Sequence, residues 1–297
     1  MQSKMRMYWI HALTPLHVGS GRGLGYIDLP IMREKVTNWP FIPGSAIKGV
    51  LADVYGADDQ GRKDNKRLKT AFGQSGPEHS NLGSLVFTDA RLVCLPVRSL
   101  YGTFAWCTSP IALRRLLRDL QSAGLAGPLG AVPVPSDKVL VPDQQSKLVK
   151  ENRVFLEDLD FPCEANSQVA AWTEQLAARL FSDAAWQRGF KERFLLVPDD
   201  VFGFLCETGT EVAARVRLDD EKKTVVEGAL WYEESLPAET VLAGLVWCDR
   251  VFTEEKIEPH DLLNEFCSGE KKLQIGGKAT VGRGLVRFLF SNGGAAK

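Results

Sequence analysis

Met7 to Leu13 is a mostly apolar run short enough for one strand, and it delivers the chain into a glycine-rich stretch. Pro40-Phe41-Ile42-Pro43-Gly44 then sets a rigid turn with Ser45 placed as a helix N-cap. Ile47, Val50, Leu51, Val54 and Tyr55 follow at i, i+3, i+4, i+7 and i+8, the period of a helix with one buried face. Lys48 lies off that face, near the helix start, free to meet a phosphate. A second helix is signalled by Ser109 as cap, Pro110 at the first position and a stripe of Leu113, Leu116, Leu117 and Leu120, with Arg114, Arg115 and Arg118 on the opposite side. Asp199 to Glu207 reads as a short helix. Glu211 to Leu218 and Thr224 to Tyr232 read as strands of a projecting hairpin, 211–232, joined by a polar turn at Asp219 to Lys223. Val241 to Trp247 is a buried strand, Asp261 to Phe266 a short helix ended by Gly269, and Leu285 to Phe290 a closing strand. Gly124 to Pro142 is an irregular excursion rich in Gly and Pro, and the mixture of elements predicts an α+β fold.

Two glycine-rich turns lie near opposite ends: His17-Val18-Gly19-Ser20-Gly21-Arg22-Gly23-Leu24-Gly25 and Gly276-Gly277-Lys278-Ala279-Thr280-Val281-Gly282-Arg283-Gly284. Glycine lets backbone approach a ligand closely, and the neighbouring Arg and Lys neutralise an anion, so both turns point to phosphate, in particular a nucleic-acid backbone. Neither is a nucleotide-triphosphate loop, because Gly277-Lys278-Ala279 lacks the hydroxyl after the lysine and the upstream glycine of that motif. Nor is Gly19-Ser20-Gly21 a dinucleotide fingerprint, since no helical period opens before Pro30.

Composition narrows the picture. A chain of 297 residues, 44% hydrophobic, has ample material for a core, and its length allows one or two domains. No run reaches the length of a membrane span and Met1 to Met7 is too short and polar for a signal peptide, so a cytoplasmic protein without a membrane partner is expected. Six cysteines without a C-x-x-C pair, and only four histidines, argue against a structural metal or disulfide scaffold. A net charge of −1 rules against binding nucleic acid by bulk field, so any such contact is local. Two basic clusters, Arg62 to Lys69 and Arg114 to Arg118, are either such contacts or solvated faces.

Several segments resemble the RAMP superfamily of CRISPR proteins, and within it the repeated backbone subunit of the type III-B (Cmr) effector complex. They are Leu16 to Gly21 with Ile27-Asp28-Leu29-Pro30-Ile31 and Arg33-Glu34, then Pro40 to Gly49. Pro96-Val97-Arg98-Ser99 through Trp106 to Pro110 and Leu230 to Pro237 add support, and the C-terminal glycine turn is the general signature. The resemblance implies a single RAMP domain over 1–297: an RRM-like (ferredoxin-like) palm with insertions near 56–80 and 124–165 and a β-hairpin thumb. Either the Asp58 to Pro77 insertion or the hairpin near Asp219 could be that thumb. No aromatic RRM motif surrounds Arg283-Gly284, so base stacking on that strand is not expected.

The resemblance further implies a filament that grips guide RNA and cuts complementary target RNA. Its partners would be guide and target RNA, copies of itself, a small helical subunit, capping RAMP subunits and a large polymerase-like subunit. Guide-backbone contacts are expected at Gly19, Ser20, Gly21, Arg22, Ser45, Lys48, Arg98, Gly277, Lys278, Thr280 and Arg283. Asp28 is the expected catalytic carboxylate, binding a divalent ion (Mg2+ or Mn2+) weakly or only with RNA, or orienting the RNA 2′-hydroxyl. One carboxylate can suffice because RNA carries its own nucleophile. His17 is a candidate proton donor or phosphate contact, or else a structural hydrogen bond. Tyr232 and Glu233, with Glu234, either reach the scissile site from a neighbouring subunit or form an ordinary strand end with solvent-facing acids. A scaffold without catalysis and an endoribonuclease that processes the guide precursor are the alternatives.

Overall fold

A computed structural model describes residues 4–291 except 22, 24, 57–64, 75–80, 220, 223, 254 and 255. The longer strands are β1 (Met5–Ala12), β2 (Ala90–Arg98), β3 (Phe104–Thr108), β4 (Val139–Val141), β5 (Arg153–Leu156), β6 (Leu159–Ala165), β7 (Phe194–Leu196), β8 (Glu211–Leu218), β9 (Val225–Ser235), β10 (Val241–Trp247), β11 (Glu270–Gln274) and β12 (Leu285–Phe290). The helices are α1 (Gly44–Tyr55), α2 (Lys66–Phe72), α3 (Pro110–Ser122), α4 (Ser167–Leu180), α5 (Ala184–Lys191), α6 (Asp199–Thr208) and α7 (Pro259–Phe266).

The large sheet runs β11-β12-β1-β10-β2-β3-β7-β4-β6-β5. Its heart, β12-β1-β10-β2, is antiparallel throughout. Taken with α1 and α7, these strands follow a βαββαβ order with the first strand between the last and the third, which is the ferredoxin-like arrangement expected of the palm. β1 explains why the opening apolar run is continuous rather than alternating. Tyr8 and Ile10 join the cluster of Ile47 and Leu51 from α1 and Leu262, Leu263 and Phe266 from α7. Met7 and Trp9 join Leu113, Leu116 and Leu120 from α3 and Val169, Trp172, Leu176 and Leu180 from α4. Successive side chains of a strand point to opposite faces, so a run apolar at every position marks a sheet covered on both.

Local expectations are met unevenly. α3 starts as expected, Ser109 Oγ accepting from the Ala112 N–H at 3.3 Å ahead of Pro110. Its arginines do not all face away: Arg115 bonds Glu34 at 2.8 Å and lies over the Trp39 ring. Ser45 is not the cap of α1. The helix begins at Gly44, whose N–H donates to Asp89 Oδ1 at 2.8 Å, so a carboxylate from the chain just before β2 supplies what Ser45 was expected to supply, leaving Ser45 exposed in the first turn. An added Cβ at Gly44 would collide with the Phe87 and Thr88 carbonyls, which fixes glycine here.

β8 and β9 form a two-stranded sheet apart from the main one, and β9 runs to Ser235, three residues beyond the expected end of the hairpin. Directly paired residues share a face: Ala214 with Tyr232, Val216 with Leu230, and Leu218 with Val225. Val216, Leu218, Val225, Leu230 and Tyr232 are all exposed, so one face of the ribbon is apolar and uncovered. This ribbon has the form of the expected thumb; much of the rival segment, including Arg62 and Lys63, lies outside the described residues.

Residues 123–138 form no helix or strand, whereas β4, β6 and β5 extend the sheet. All six cysteines are free and buried, and burial pushes their thiols up, as at Cys248 (about 11). Among the described residues no helix is long and apolar enough to cross a membrane.

Candidate functional site

After β1 the chain folds back along the base of the hairpin. Leu16 and Leu236 exchange two backbone bonds of 2.8 and 2.9 Å, and Ser20 and Met32 donate to the Pro30 and Val18 carbonyls. Leu29 donates to Tyr232 O at 3.1 Å and accepts from the Glu234 N–H at 3.0 Å, an isolated parallel bridge to β9 opposite Glu233. Asp28 sits at the outer turn of this loop and is exposed. Its carbonyl accepts from the Gly23 N–H at 3.0 Å, and its carboxylate Oδ2 accepts from the Tyr232 N–H at 2.8 Å. Asp28 is therefore a surface carboxylate whose direction is set by the hairpin backbone.

The two glycine turns meet at His17. Gly277 donates to the His17 carbonyl at 2.9 Å, Gly284 donates to Pro15 O, and Gly276 (φ +81°) leaves no room for a Cβ against the His17 carbonyl oxygen. The His17 ring is buried, with Nδ1 2.6 Å from Glu234 O. A carbonyl only accepts, so Nδ1 carries a hydrogen, and Nε2 faces Gly19. A Cβ on Gly19 would stand 3.0 Å from that nitrogen.

Glu233 and Glu234 are buried rather than solvent-facing. Consecutive strand residues point opposite ways, and each acid finds its own cations. Glu233 accepts from Lys278 Nζ and Trp231 Nε1, both at 2.7 Å, with Arg215 at 3.4 Å. Burial pushes the Glu233 carboxyl up, but the Lys278 and Trp231 hydrogen bonds and the Lys278 and Arg215 charges outweigh it, and the net direction is down. Glu234 accepts from the Ile31 N–H at 3.0 Å, Thr210 at 2.9 Å and Arg33 at 2.5 Å. The expected strand end with solvent-facing acids is corrected by this setting, because the Glu233 carboxylate is buried and committed to neutralising Lys278 and Arg215. Tyr232, by contrast, is exposed beside Asp28.

The expected phosphate contacts divide. Gly19, Ser20, Gly21, Gly277 and Thr280 belong to the two joined turns and are all exposed. Lys278 is tied to Glu233, and Arg283 to Glu211 at 3.0 Å. Lys48 is not free: its Nζ donates to Leu85 O at 2.8 Å, and burial lowers its pKa. Arg98 is exposed at the end of β2, and Arg22 lies outside the described residues. Sequence reasoning overlooked Arg33, Arg215 and Trp231 as members of the site, and undervalued Glu234. Two adjacent acids inside a strand were the available signal, since one of the pair must turn inward when a single face is wet.

No group of three or more His, Cys, Asp or Glu able to hold a metal ion occurs among the described residues. Asp28 offers one ligand, so these residues do not amount to a resident metal site. The arrangement offers an oriented carboxylate, an exposed phenol and glycine backbone, ringed by cations that are mostly engaged.

A profile of the RAMP superfamily matches residues 9–287. The CRISPR system Cmr endoribonuclease Cmr4 of Pyrococcus furiosus is 33% identical over 299 residues, covering 98% of each chain. The CRISPR system CMR subunit Cmr4 of Saccharolobus solfataricus is 21% identical over 97% of each. The crystal structure of oligomeric Cmr4 from Pyrococcus furiosus has the same fold, with a TM-score of 0.73 at 28% identity over 97% of this chain and 98% of that one.

Proposed function

The chain belongs to the RAMP superfamily, and on that footing we propose that it is a guide-RNA-binding backbone subunit of a type III-B complex that cuts complementary RNA through Asp28. The supporting relative is named an endoribonuclease and is matched over nearly its whole length. The observation that carries the reading is the exposed Asp28 carboxylate, held by the Tyr232 N–H on a loop whose first glycine turn donates, through the Gly23 N–H, to the Asp28 carbonyl. Glycine backbone and local cations can follow a phosphate chain without reading bases, which suits a protein whose specificity is delegated to base pairing.

In the cutting step the protein has two tasks, to bend target RNA into an in-line geometry and to orient its 2′-hydroxyl. Asp28 can accept a hydrogen bond from that hydroxyl, and exposed Tyr232 stands beside it. A divalent ion, Mg2+ or Mn2+, would be held chiefly by RNA oxygens, since the chain adds one carboxylate, and would supply charge stabilisation. The proposed partners are guide and target RNA, further copies of the chain, a small helical subunit, capping RAMP subunits and a large polymerase-like subunit, meeting in the cytoplasm.

The test is cleavage of a guide-complementary RNA by the reconstituted complex, with and without Mg2+ or Mn2+, using the native chain and Asp28→Ala at matched assembly. Loss of ion-dependent cuts with target binding intact is the expected result. Undiminished cutting by Asp28→Ala would leave the chain a guide-binding scaffold.

A further inference from the structure

We propose that Arg33 is a positioning residue for Asp28, acting through Glu234; the inference rests on the cleavage reading of Asp28. Glu234 is 3% exposed, and a carboxylate so removed from water needs a counter-charge and filled hydrogen bonds. Arg33 supplies the charge at 2.5 Å through one guanidinium nitrogen, while another donates to Asn38 O at 2.8 Å and Cys206 O at 3.0 Å. One planar fork thus joins three separate pieces: the loop after Asp28, the end of α6 and the base of β9. Lysine, with a single compact head, cannot span those acceptors in the same way.

The path from this fork to Asp28 is short and wholly polar. Glu234 Oε2 holds the Ile31 N–H, the Glu234 backbone N–H holds Leu29 O, and the Tyr232 N–H holds the Asp28 carboxylate. Residues 28, 29 and 31 are thereby pinned to residues 232 and 234 in a fixed register. Glu234 O also receives the His17 Nδ1 proton, so the same residue sets the imidazole. Without Arg33 the buried Glu234 charge is uncompensated, and the carboxylate turns toward water. That turn releases the bond to Ile31 and the lateral stop that aims Asp28.

The experiment measures single-turnover cleavage and target affinity of the guide-loaded complex carrying Arg33→Ala, Arg33→Lys or Asp28→Ala. Hydrogen exchange is followed on the same chains. Arg33→Ala is expected to slow cleavage on the order of 100-fold, the scale at which small misplacements act. Target affinity should stay within a few-fold, exchange should rise in residues 28–34 and 230–236 but not across β1, β10 and β12, and Arg33→Lys should fall between. Full-speed cutting by Arg33→Ala overturns the proposal, as does exchange rising throughout the palm or affinity falling in step with rate. If Arg33→Ala does not assemble, the decision passes to Arg33→Lys, where native cutting rate overturns it. Failure of the cleavage reading itself is distinguished by Asp28→Ala, which would then cut normally.

Discussion

Gly277 donates its backbone N–H to the carbonyl oxygen of His17 at 2.9 Å, joining two glycine turns from opposite ends of the chain. The junction forms because β1 and β12 are antiparallel neighbours, so the exit of one strand and the entry of the other lie at the same end of the palm. Gly276→Ala should disturb this junction most directly. Its positive φ and the oncoming His17 carbonyl both oppose a side chain, and a loss of about 1–3 kcal/mol is expected by denaturant unfolding. RNA affinity should fall with it, whereas Gly282→Ala, with open space at its Cβ, should cost less.

His17 separates two roles by substitution. Asparagine can place an amide N–H near the position of Nδ1, so His17→Asn should keep the bond to Glu234 O, and melting temperature and cutting should remain close to native. His17→Ala leaves that carbonyl without its donor and should lower stability by about 1–3 kcal/mol. A large loss of cutting in a well-folded His17→Asn chain would instead assign Nε2 to proton transfer.

Lys48→Ala tests whether this lysine serves the fold, RNA or both. Since its Nζ holds the Leu85 carbonyl in a half-buried setting, the substitution should lower stability by about 1 kcal/mol in the RNA-free protein. An unchanged melting temperature together with weakened RNA binding would show a lysine kept only for phosphate.

The Lys278–Glu233 pair ties the C-terminal glycine turn to the hairpin base. Glu233 is held below its ordinary 4.5 in the folded chain, so its contribution is present above that value and is lost as pH falls through the depressed one. Glu270, held down by Arg287, behaves in the same direction. Melting temperature should therefore drop between about pH 5 and pH 3, and Glu233→Gln should flatten part of the drop. A profile identical to the native one would deny Glu233 this role.

Much of the palm could be read from residues alone because its signals are local. The Ile47 to Tyr55 period, the Ser109-Pro110 start and the alternating ribbon each follow from short-range geometry. What escaped was long-range. Asp89 caps α1 from 45 residues downstream (89 − 44), and no local rule would displace Ser45 in its favour. The short strands β4 to β7 pair partly in parallel, with partners fixed by distant segments. At the site, Asp28 was visible through its motif, whereas the burial of Glu233 and Glu234 depended on Lys278 and Arg33 arriving from elsewhere. Lys48 shows the converse: its helical position was read correctly, but its amine was claimed by a carbonyl that the helix period could not reveal.

The uncovered face of the β8–β9 ribbon also governs how the free chain behaves in a tube or a cell. Val216, Leu218, Val225 and Leu230 form a sticky strip on a two-stranded ribbon that, among the described residues, joins no further strand at its outer end, the combination that templates unwanted strand addition. A subunit in excess of whatever shields that strip is expected to self-associate, which light scattering of the free chain would show. That association should rise with concentration and fall when the chain is produced together with the partner that covers the strip.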